Sequence, residues 1–174
     1  MPNPTSLPEV WLRGPVEGIN PALMPAAHAL LQAAEDLERV AAGLSTAELR
    51  VTPGGAASIS YHLRHIAGSI DRLTTYARGE KLTESQRAAL RAEKEIPEDP
   101  ESASALVDSV VRAVHKAIEQ IRRTPPASFF EPRKVGAAGL PSTVIGLLFH
   151  AAEHAQRHTG QVITTARVIQ ERTT

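Results

Sequence analysis

The chain has 174 residues, a length that suits one domain with a substantial core. Its 19 lysine and arginine residues balance 19 aspartate and glutamate residues, which argues against a large nucleic-acid surface and against a basic membrane anchor. The sequence contains no cysteine, so disulfides, thiolate metal sites and a cysteine nucleophile are excluded. Any metal site must therefore use histidine, aspartate, glutamate or water.

The N-terminal stretch MPNPTSLPEVWLRG lacks the apolar segment of a signal peptide. No stretch approaches the roughly 18 apolar residues of a membrane span. We therefore expect a cytoplasmic protein with no membrane partner. Residues 1–20 hold four of the 13 prolines and predict an extended arm, within a single domain that covers residues 1–174.

The first long helix is predicted to start at Asn20-Pro21, with Asn as the N-cap and Pro at the first helical position. Its apolar side chains recur at alternating four- and three-residue steps, the pattern of a helix buried along a bundle seam. They are Leu23, Ala27, Leu30, Ala34, Leu37, Ala41 and Leu44. The following Ser45 to Glu48 segment resembles a capping box, and a Pro-Gly-Gly sequence within residues 51–55 then breaks the chain.

A second helix is predicted from about residue 57 to 78. Its apolar stripe is Ile59, Leu63, Ile66, Ile70 and Leu73. A capping-box pattern at Thr83 predicts a short connecting helix that reaches about residue 93. This connection makes the path between the second and third long helices unusually long, so a simple hairpin order of helices is not guaranteed.

The third long helix is predicted to begin at Asp99-Pro100 and to end before the Pro-Pro pair at 125–126. Residues 129–141, rich in glycine and proline, predict a loop. The fourth helix is predicted to begin near residue 142 and to reach about residue 170. Four long amphipathic segments predict an all-α fold, a four-helix bundle with a short extra helix between the second and third long helices.

The sequence HAAEHAQRHTGQ, residues 150–161, places three of the seven histidines at four-residue intervals. This spacing puts His150, His154 and His158 on one helix face. His158 falls on the buried stripe, and two histidines four residues apart can chelate one metal ion. Imidazole ligands favour zinc, nickel, copper or iron. A third ligand must come from elsewhere, and the second helix offers His62 and His65.

A second interpretation of this pattern is a helical bundle with incidental histidines, because pairs at this spacing are common on exposed helices. His28 and His115 lie on other helices and are expected at the surface or at its boundary. The Asp71-Arg72 pair is interpreted as part of a solvated face with local ion pairs.

The segments SISYHLRHIAGSIDRL and HAAEHAQRHTGQ together resemble the DinB-like superfamily of small bacterial metal-binding proteins, which are related to thiol-dependent S-transferases. The resemblance implies a four-helix bundle in up-down-down-up order. It also implies three histidine ligands, one in a His-Ile-Ala context and two in a His-x-x-x-His pattern followed by x-Gly-Gln. In this chain those positions are His65, His154 and His158.

By its seven-residue register, His62 lies closer to the buried stripe of the second helix than His65 does, whereas the resemblance selects His65. We follow the resemblance, and His62 and His150 then become neighbours of the site that could orient a ligand. Glu153 and Arg157 point away from the His154–His158 face and are expected to form a surface salt pair.

The resemblance further implies a divalent transition metal, zinc or nickel, and a homodimer. It favours a metal-dependent enzyme with a small-molecule substrate, namely a transferase that activates a low-molecular-weight thiol, or a related hydrolase. The alternative from another class is a non-catalytic metal-binding or stress-associated interaction protein. No residue is assigned a catalytic role at this point.

Overall fold

The computed structural model describes residues 7–95, 99 and 101–171, and these residues are mostly helical. They form six α-helices and one two-stranded sheet. The helices are α1 (Met24–Ala41), α2 (Thr46–Arg50), α3 (Ile59–Ala77), α4 (Glu84–Ala92), α5 (Ala103–Arg123) and α6 (Val144–Glu171). Short 3-10 turns occur at Val10–Leu12, Pro21–Leu23, Pro53–Gly55 and Pro126–Ser128. None of the described helices has the length and apolarity needed to cross a bilayer.

The four long helices surround one hydrophobic core. Both α1 and α3 pack against α5 and against α6, and the contact between α3 and α6 is the most extensive. The predicted stripe of the first helix is buried along its whole length, from Leu23 to Leu44. The all-α prediction is therefore confirmed, whereas the up-down-down-up order stays a prediction.

Local capping residues mark the starts of α2 and α4, and of the turn before α1, where the sequence predicts them. Asn20 accepts a 2.9 Å hydrogen bond from the backbone N–H of Ala22 and starts the Pro21–Leu23 turn that leads into α1. Reciprocal capping boxes form at Ser45, which opens α2, and at Thr83, which opens α4. Both capping-box predictions are confirmed, and the second of them fixes the connecting helix.

The third long helix begins later than predicted. Ser102 is its N-cap and accepts a 3.2 Å hydrogen bond from the backbone N–H of Ala105, so α5 starts at Ala103. Asp99 lies in a bend ahead of it, and Pro100 lies outside the described residues. The N-cap preference of serine thus overrides the Asp-Pro pair as the start signal.

The predicted loop at 129–141 is wrong at residues 132–135 and 140–141, which lie in two strands. Strands β1 (Pro132–Val135) and β2 (Leu140–Thr143) pair antiparallel, with Val135 opposite Leu140. Gly136 and Gly139 have φ values of +68° and +63° and allow the tight reversal between the strands. Each strand has four residues including a proline, which is too short to produce a recognisable alternation of apolar and polar side chains.

The described part of the N-terminal arm packs along α1. Val10 is buried, and the Arg13 guanidinium forms a 2.6 Å ion pair with Glu35 of α1. The Nε2 atom of His28, also on α1, lies 3.0 Å from the carbonyl oxygen of Gly14. This contact explains why His28 lies at the boundary between the core and the surface, as predicted. Residues 1–6 of the predicted arm lie outside the described residues.

Candidate metal centre

The histidine cluster lies where the start of α3 faces the middle of α6. Ser58 caps α3 by accepting a 3.2 Å hydrogen bond from the backbone N–H of Tyr61. The cap fixes the first turn, and it thereby places His62 and His65 in the first two turns of the helix. The apolar stripe of α3 turns this part of the helix towards α6, because α3 and α6 share the core.

The structure brings together the three histidines that the resemblance selects. One ring nitrogen from each of His65, His154 and His158 lies within 4.8 Å of the others. The Nε2 atoms of His65 and His154 are 2.9 Å apart. The ring of His158 is centred 4.6 Å from the ring of His65 and 4.5 Å from that of His154.

These distances suit a metal ion bound by imidazoles. Nitrogen ligands at about 2.0–2.1 Å in a tetrahedral site are roughly 3.3 Å from one another. The 2.9 Å separation between His65 and His154 needs to widen by only a few tenths of an ångström. Three imidazoles also leave one or more coordination positions open, which is the pattern of catalytic rather than structural sites.

Two histidines of the cluster, His154 and His158, favour the neutral form that binds metals. Burial, followed by the charges of the neighbouring histidines, lowers the pKa of His154 to about 4. Burial and the charge of His65 also lower the pKa of His158, against a hydrogen bond with the Gln161 side chain that acts in the opposite direction. At neutral pH both rings therefore carry a free lone pair, which metal coordination requires.

A carboxylate that the sequence did not single out supports the cluster from behind. Glu93, at the C-terminal end of α4, is only 6% exposed. Its Oε2 accepts a 2.8 Å hydrogen bond from His65 Nδ1, and its Oε1 accepts a 2.5 Å bond from Arg72. Burial acts to raise the pKa of Glu93, but the hydrogen bonds from His65 and Arg72 outweigh it and leave this pKa below its ordinary value.

This contact fixes the tautomer of His65. An ionised carboxylate can only accept hydrogen bonds, so the Nδ1 atom of His65 must carry the ring proton. In the neutral ring the lone pair then lies on Nε2, the atom that faces His154. Hydrogen bonds of this kind, donated to a carboxylate, orient metal-binding histidines and make them more basic.

Space for the Arg72–Glu93 ion pair depends on Gly68. A Cβ atom at position 68 would lie 2.6 Å from Arg72 Nη1 and 2.6 Å from Glu93 Oε1. The interpretation of Arg72 as a solvated residue is wrong, because this residue is 8% exposed and paired with Glu93. Gly68 and Arg72 follow His65 by three and seven residues, a helical spacing that could have indicated their common face.

His62 adds a fourth imidazole ring to the cluster. It is only 5% exposed, and its Nδ1 lies 3.1 Å from His158 Nδ1. Burial, followed by the charges of His158 and His65, lowers the pKa of His62 to about 4. One of the two facing nitrogens must carry the proton, and the donor depends on the tautomers of the two rings. When His158 Nδ1–H is the donor, the lone pair of His158 lies on Nε2. The register prediction thus identified the more buried histidine, which lies beside the three-histidine group.

The three rings are not supported equally. Glu93 contacts His65 and His62 contacts His158, whereas the buried Nδ1 of His154 has no hydrogen-bond partner among the described residues. The orientation of His154 therefore depends on packing and on its contacts with the other histidines.

His150 lies outside this group. It is exposed, its Nδ1 lies 3.2 Å from Glu153 Oε2, and its ring is centred 5.3 Å from that of His154. With Glu153 and His154 it forms a second possible ligand group at the surface. Glu153 also forms a 2.5 Å ion pair with Arg157, as predicted for this surface pair.

Comparison with known proteins gives a family and a fold. A sequence profile described as the DinB superfamily matches residues 29–162. A conserved protein from Enterococcus faecalis is similar in structure, with a TM-score of 0.67 and 18% identity over 86% of this chain and 97% of that one. A DinB-like protein from Bacillus cereus gives 0.60 and 16%, over 79% and 89% of the two chains. No curated protein matches the sequence.

We expect Gly68→Ala to lower the free energy of unfolding of the metal-free protein by about 1–3 kcal/mol, as overpacking of a buried site does. The added methyl group must displace Arg72 or Glu93. The matched control is Gly160→Ala on α6, where a Cβ meets no atom within 4 Å, and the higher helix propensity of alanine stabilises by up to about 1 kcal/mol. Chemical denaturation measures both variants, and equal effects would contradict the account of Gly68.

We also expect the metal-free protein to lose stability as the pH falls from about 6.5 to 4. The folded pKa values of His62 and His154, about 4, lie below their ordinary value of 6.5, so the unfolded chain binds more protons in this window. Thermal denaturation across the window should show a smaller decrease for His62→Leu than for the wild type. The control, His115→Leu, alters an exposed residue and should follow the wild type. If His62→Leu lost as much stability as the wild type over this pH window, burial of the His62 ring would not be the cause of the loss.

Proposed function

Because the chain belongs to the DinB superfamily, we propose that His65, His154 and His158 bind one divalent transition metal ion, zinc or nickel. The observation that carries this proposal is the convergence of the three rings from two helices, with their ligand atoms within 4.8 Å. The lowered pKa values of His154 and His158 support it, since protons then do not compete for the lone pairs at neutral pH.

The proposed activity is that of a metal-dependent transferase that activates a low-molecular-weight thiol, or of a related hydrolase. A metal ion bound by three neutral imidazoles supplies a Lewis acid that stabilises a thiolate or lowers the pKa of bound water. The all-histidine set supports this class, because ligands without charge leave the ion with its full positive charge.

The chain's own residues prepare the site for this chemistry. Glu93 keeps the proton of His65 on Nδ1, which leaves Nε2 for the ion, and a hydrogen bond donated by His158 Nδ1 to His62 would leave Nε2 of His158 in the same way. Tyr61 stacks on the His65 ring, with ring centres 5.5 Å apart and planes 8° apart. The aromatic face thereby shields one side of this ligand from water.

Each of His65→Ala, His154→Ala and His158→Ala should cut the zinc or nickel content sharply, because each removes one of only three protein ligands. Elemental analysis after loading and gel filtration measures this content. The metal should raise the melting temperature of the wild type but not that of the triple variant, since only a bound ligand stabilises the folded state.

His62→Ala and His150→Ala should reduce the metal content less than the three ligand substitutions do. Full metal content in all three ligand variants would end the site proposal. Equal content in the wild type and His65→Ala, together with loss in His62→Ala, would instead assign His62 as the third ligand.

We expect the metal-loaded protein to accelerate the reaction of a low-molecular-weight thiol with an activated halide or epoxide, and His154→Ala to abolish this acceleration. A panel of cellular thiols assayed with the zinc- and the nickel-loaded protein provides the measurement. Tight metal binding without turnover of any thiol in the panel would favour the non-catalytic metal-binding alternative.

The proposal also includes a single cytoplasmic domain with up-down-down-up helix order that forms a homodimer. Three large apolar side chains around the hairpin and the start of α6 support a partner surface, because Phe130, Leu140 and Phe149 are 79%, 62% and 58% exposed. Light scattering should give a dimer, which the Phe130→Ser/Leu140→Ser variant weakens and the control Leu12→Ser does not. A monomeric wild type would remove this part of the proposal.

A further inference from the structure

A cleft opens beside the histidine cluster, between α2, the start of α3 and the start of α5. It has a volume of about 380 Å³, and Leu49, Tyr61, Arg64 and Leu106 contribute to its walls. Tyr61 belongs to both places, since its ring also stacks on that of His65. A molecule in the cleft that touches Tyr61 is therefore one aromatic side chain away from a proposed metal ligand.

Positive charge predominates among the residues that line this cleft. Arg50, Arg64 and Lys94 provide three cationic groups, and Glu101 provides one carboxylate. The Arg64–Glu101 contact is long, at 3.5 Å, and Arg64 otherwise donates to the uncharged backbone oxygen of Glu95. The chain as a whole has a formal net charge of zero, so this local excess is not the consequence of a generally basic protein.

The same walls contain apolar and hydroxyl groups. Leu49, Ala57 and Leu106 offer aliphatic surface, while Thr46 and Thr52 offer hydroxyl groups that can donate or accept hydrogen bonds. Concave sites of this kind, mainly apolar and with a few polar groups, are typical of small-molecule binding. The combination fits a ligand with an apolar body and at least one anionic group.

We propose that this cleft binds the co-substrate of the metal site, a small organic anion in which a carboxylate or similar oxyanion is attached to an apolar body. The oxyanion pairs with the cationic groups, and the body lies against the aliphatic wall and Tyr61. In placing this ligand beside a metal ion the inference rests on the proposed function, whereas binding in the cleft itself needs no metal.

Two probes of the same shape test the charge requirement, namely 4-phenylbutanoate and its uncharged amide. The acid should bind at least about tenfold more tightly than the amide in isothermal titration, because charge-assisted hydrogen bonds are the stronger ones. Lys94→Gln should weaken the acid by about fivefold, the scale of one charge pair near water, and added salt should weaken it further. The matched control Lys134→Gln, an exposed cation on β1, should change neither probe.

The same titration with chelator-treated protein and with His154→Ala separates the cleft from the metal site. The acid should bind with unchanged affinity in both. A failure of metal binding would therefore contradict the proposed function without contradicting ligand binding in the cleft. Equal binding of the acid and the amide, no binding of the acid, or an equal loss in Lys134→Gln would overturn the inference.

Discussion

A carboxylate removed from water is stable in its charged form only when its oxygens are paired, and Glu93 meets this condition by using both of them. One oxygen binds Arg72 and the other binds the Nδ1–H of His65. These two bonds attach the end of α4 to the middle of α3, across 28 residues of sequence between His65 and Glu93. Loss of Glu93 would leave the Arg72 guanidinium buried without its counter-charge, so the arrangement is strongly constrained. The ion pair requires glycine at position 68, because only a residue without a side chain leaves room for the two partners.

This constraint reaches the candidate metal centre through the protonation state of the histidines. With the proton of His65 fixed on Nδ1, the lone pair of the neutral ring lies on Nε2 and faces His154. The Nδ1 atoms of His62 and His158 contact each other on the other side of the cluster. Burial and the charges of neighbouring histidines favour the neutral rings of His62, His154 and His158 at physiological pH. Rings that converge from two helices form a ligand set that needs little rearrangement to bind a cation.

The sequence predicted the parts of this architecture that depend on local signals. Apolar stripes and caps such as Ser45 and Thr83 act within a few residues of where they stand, so the helices could be predicted closely, although α5 begins at Ala103 rather than at Asp99-Pro100. The four-residue spacing of His154 and His158 was likewise sufficient to place both on one face. His65 could be selected only through the family resemblance, because the seven-residue register indicates burial and His62 is the more buried residue, at 5% exposure.

The rest depends on tertiary contacts that no local pattern records. Glu93 ends a short polar helix, where an acidic residue is normally solvated, and only the packing of α4 against α3 buries it. The hairpin strands are stabilised mainly by pairing with each other, and their four-residue length leaves almost no periodicity. The two solved structures, at 18% and 16% identity, support the fold, whereas the proposed ligand set is argued from the side chains of this chain.

The central claim is that one metal ion is bound by three imidazoles from α3 and α6. X-ray absorption spectroscopy of the zinc-loaded protein tests it most directly, because the scattering pattern of imidazole rings distinguishes them from simple oxygen ligands. The account predicts three imidazoles with nitrogen at about 2.0–2.1 Å from zinc, plus one or two light ligands from solvent. A shell of oxygen ligands with one imidazole or none would contradict it.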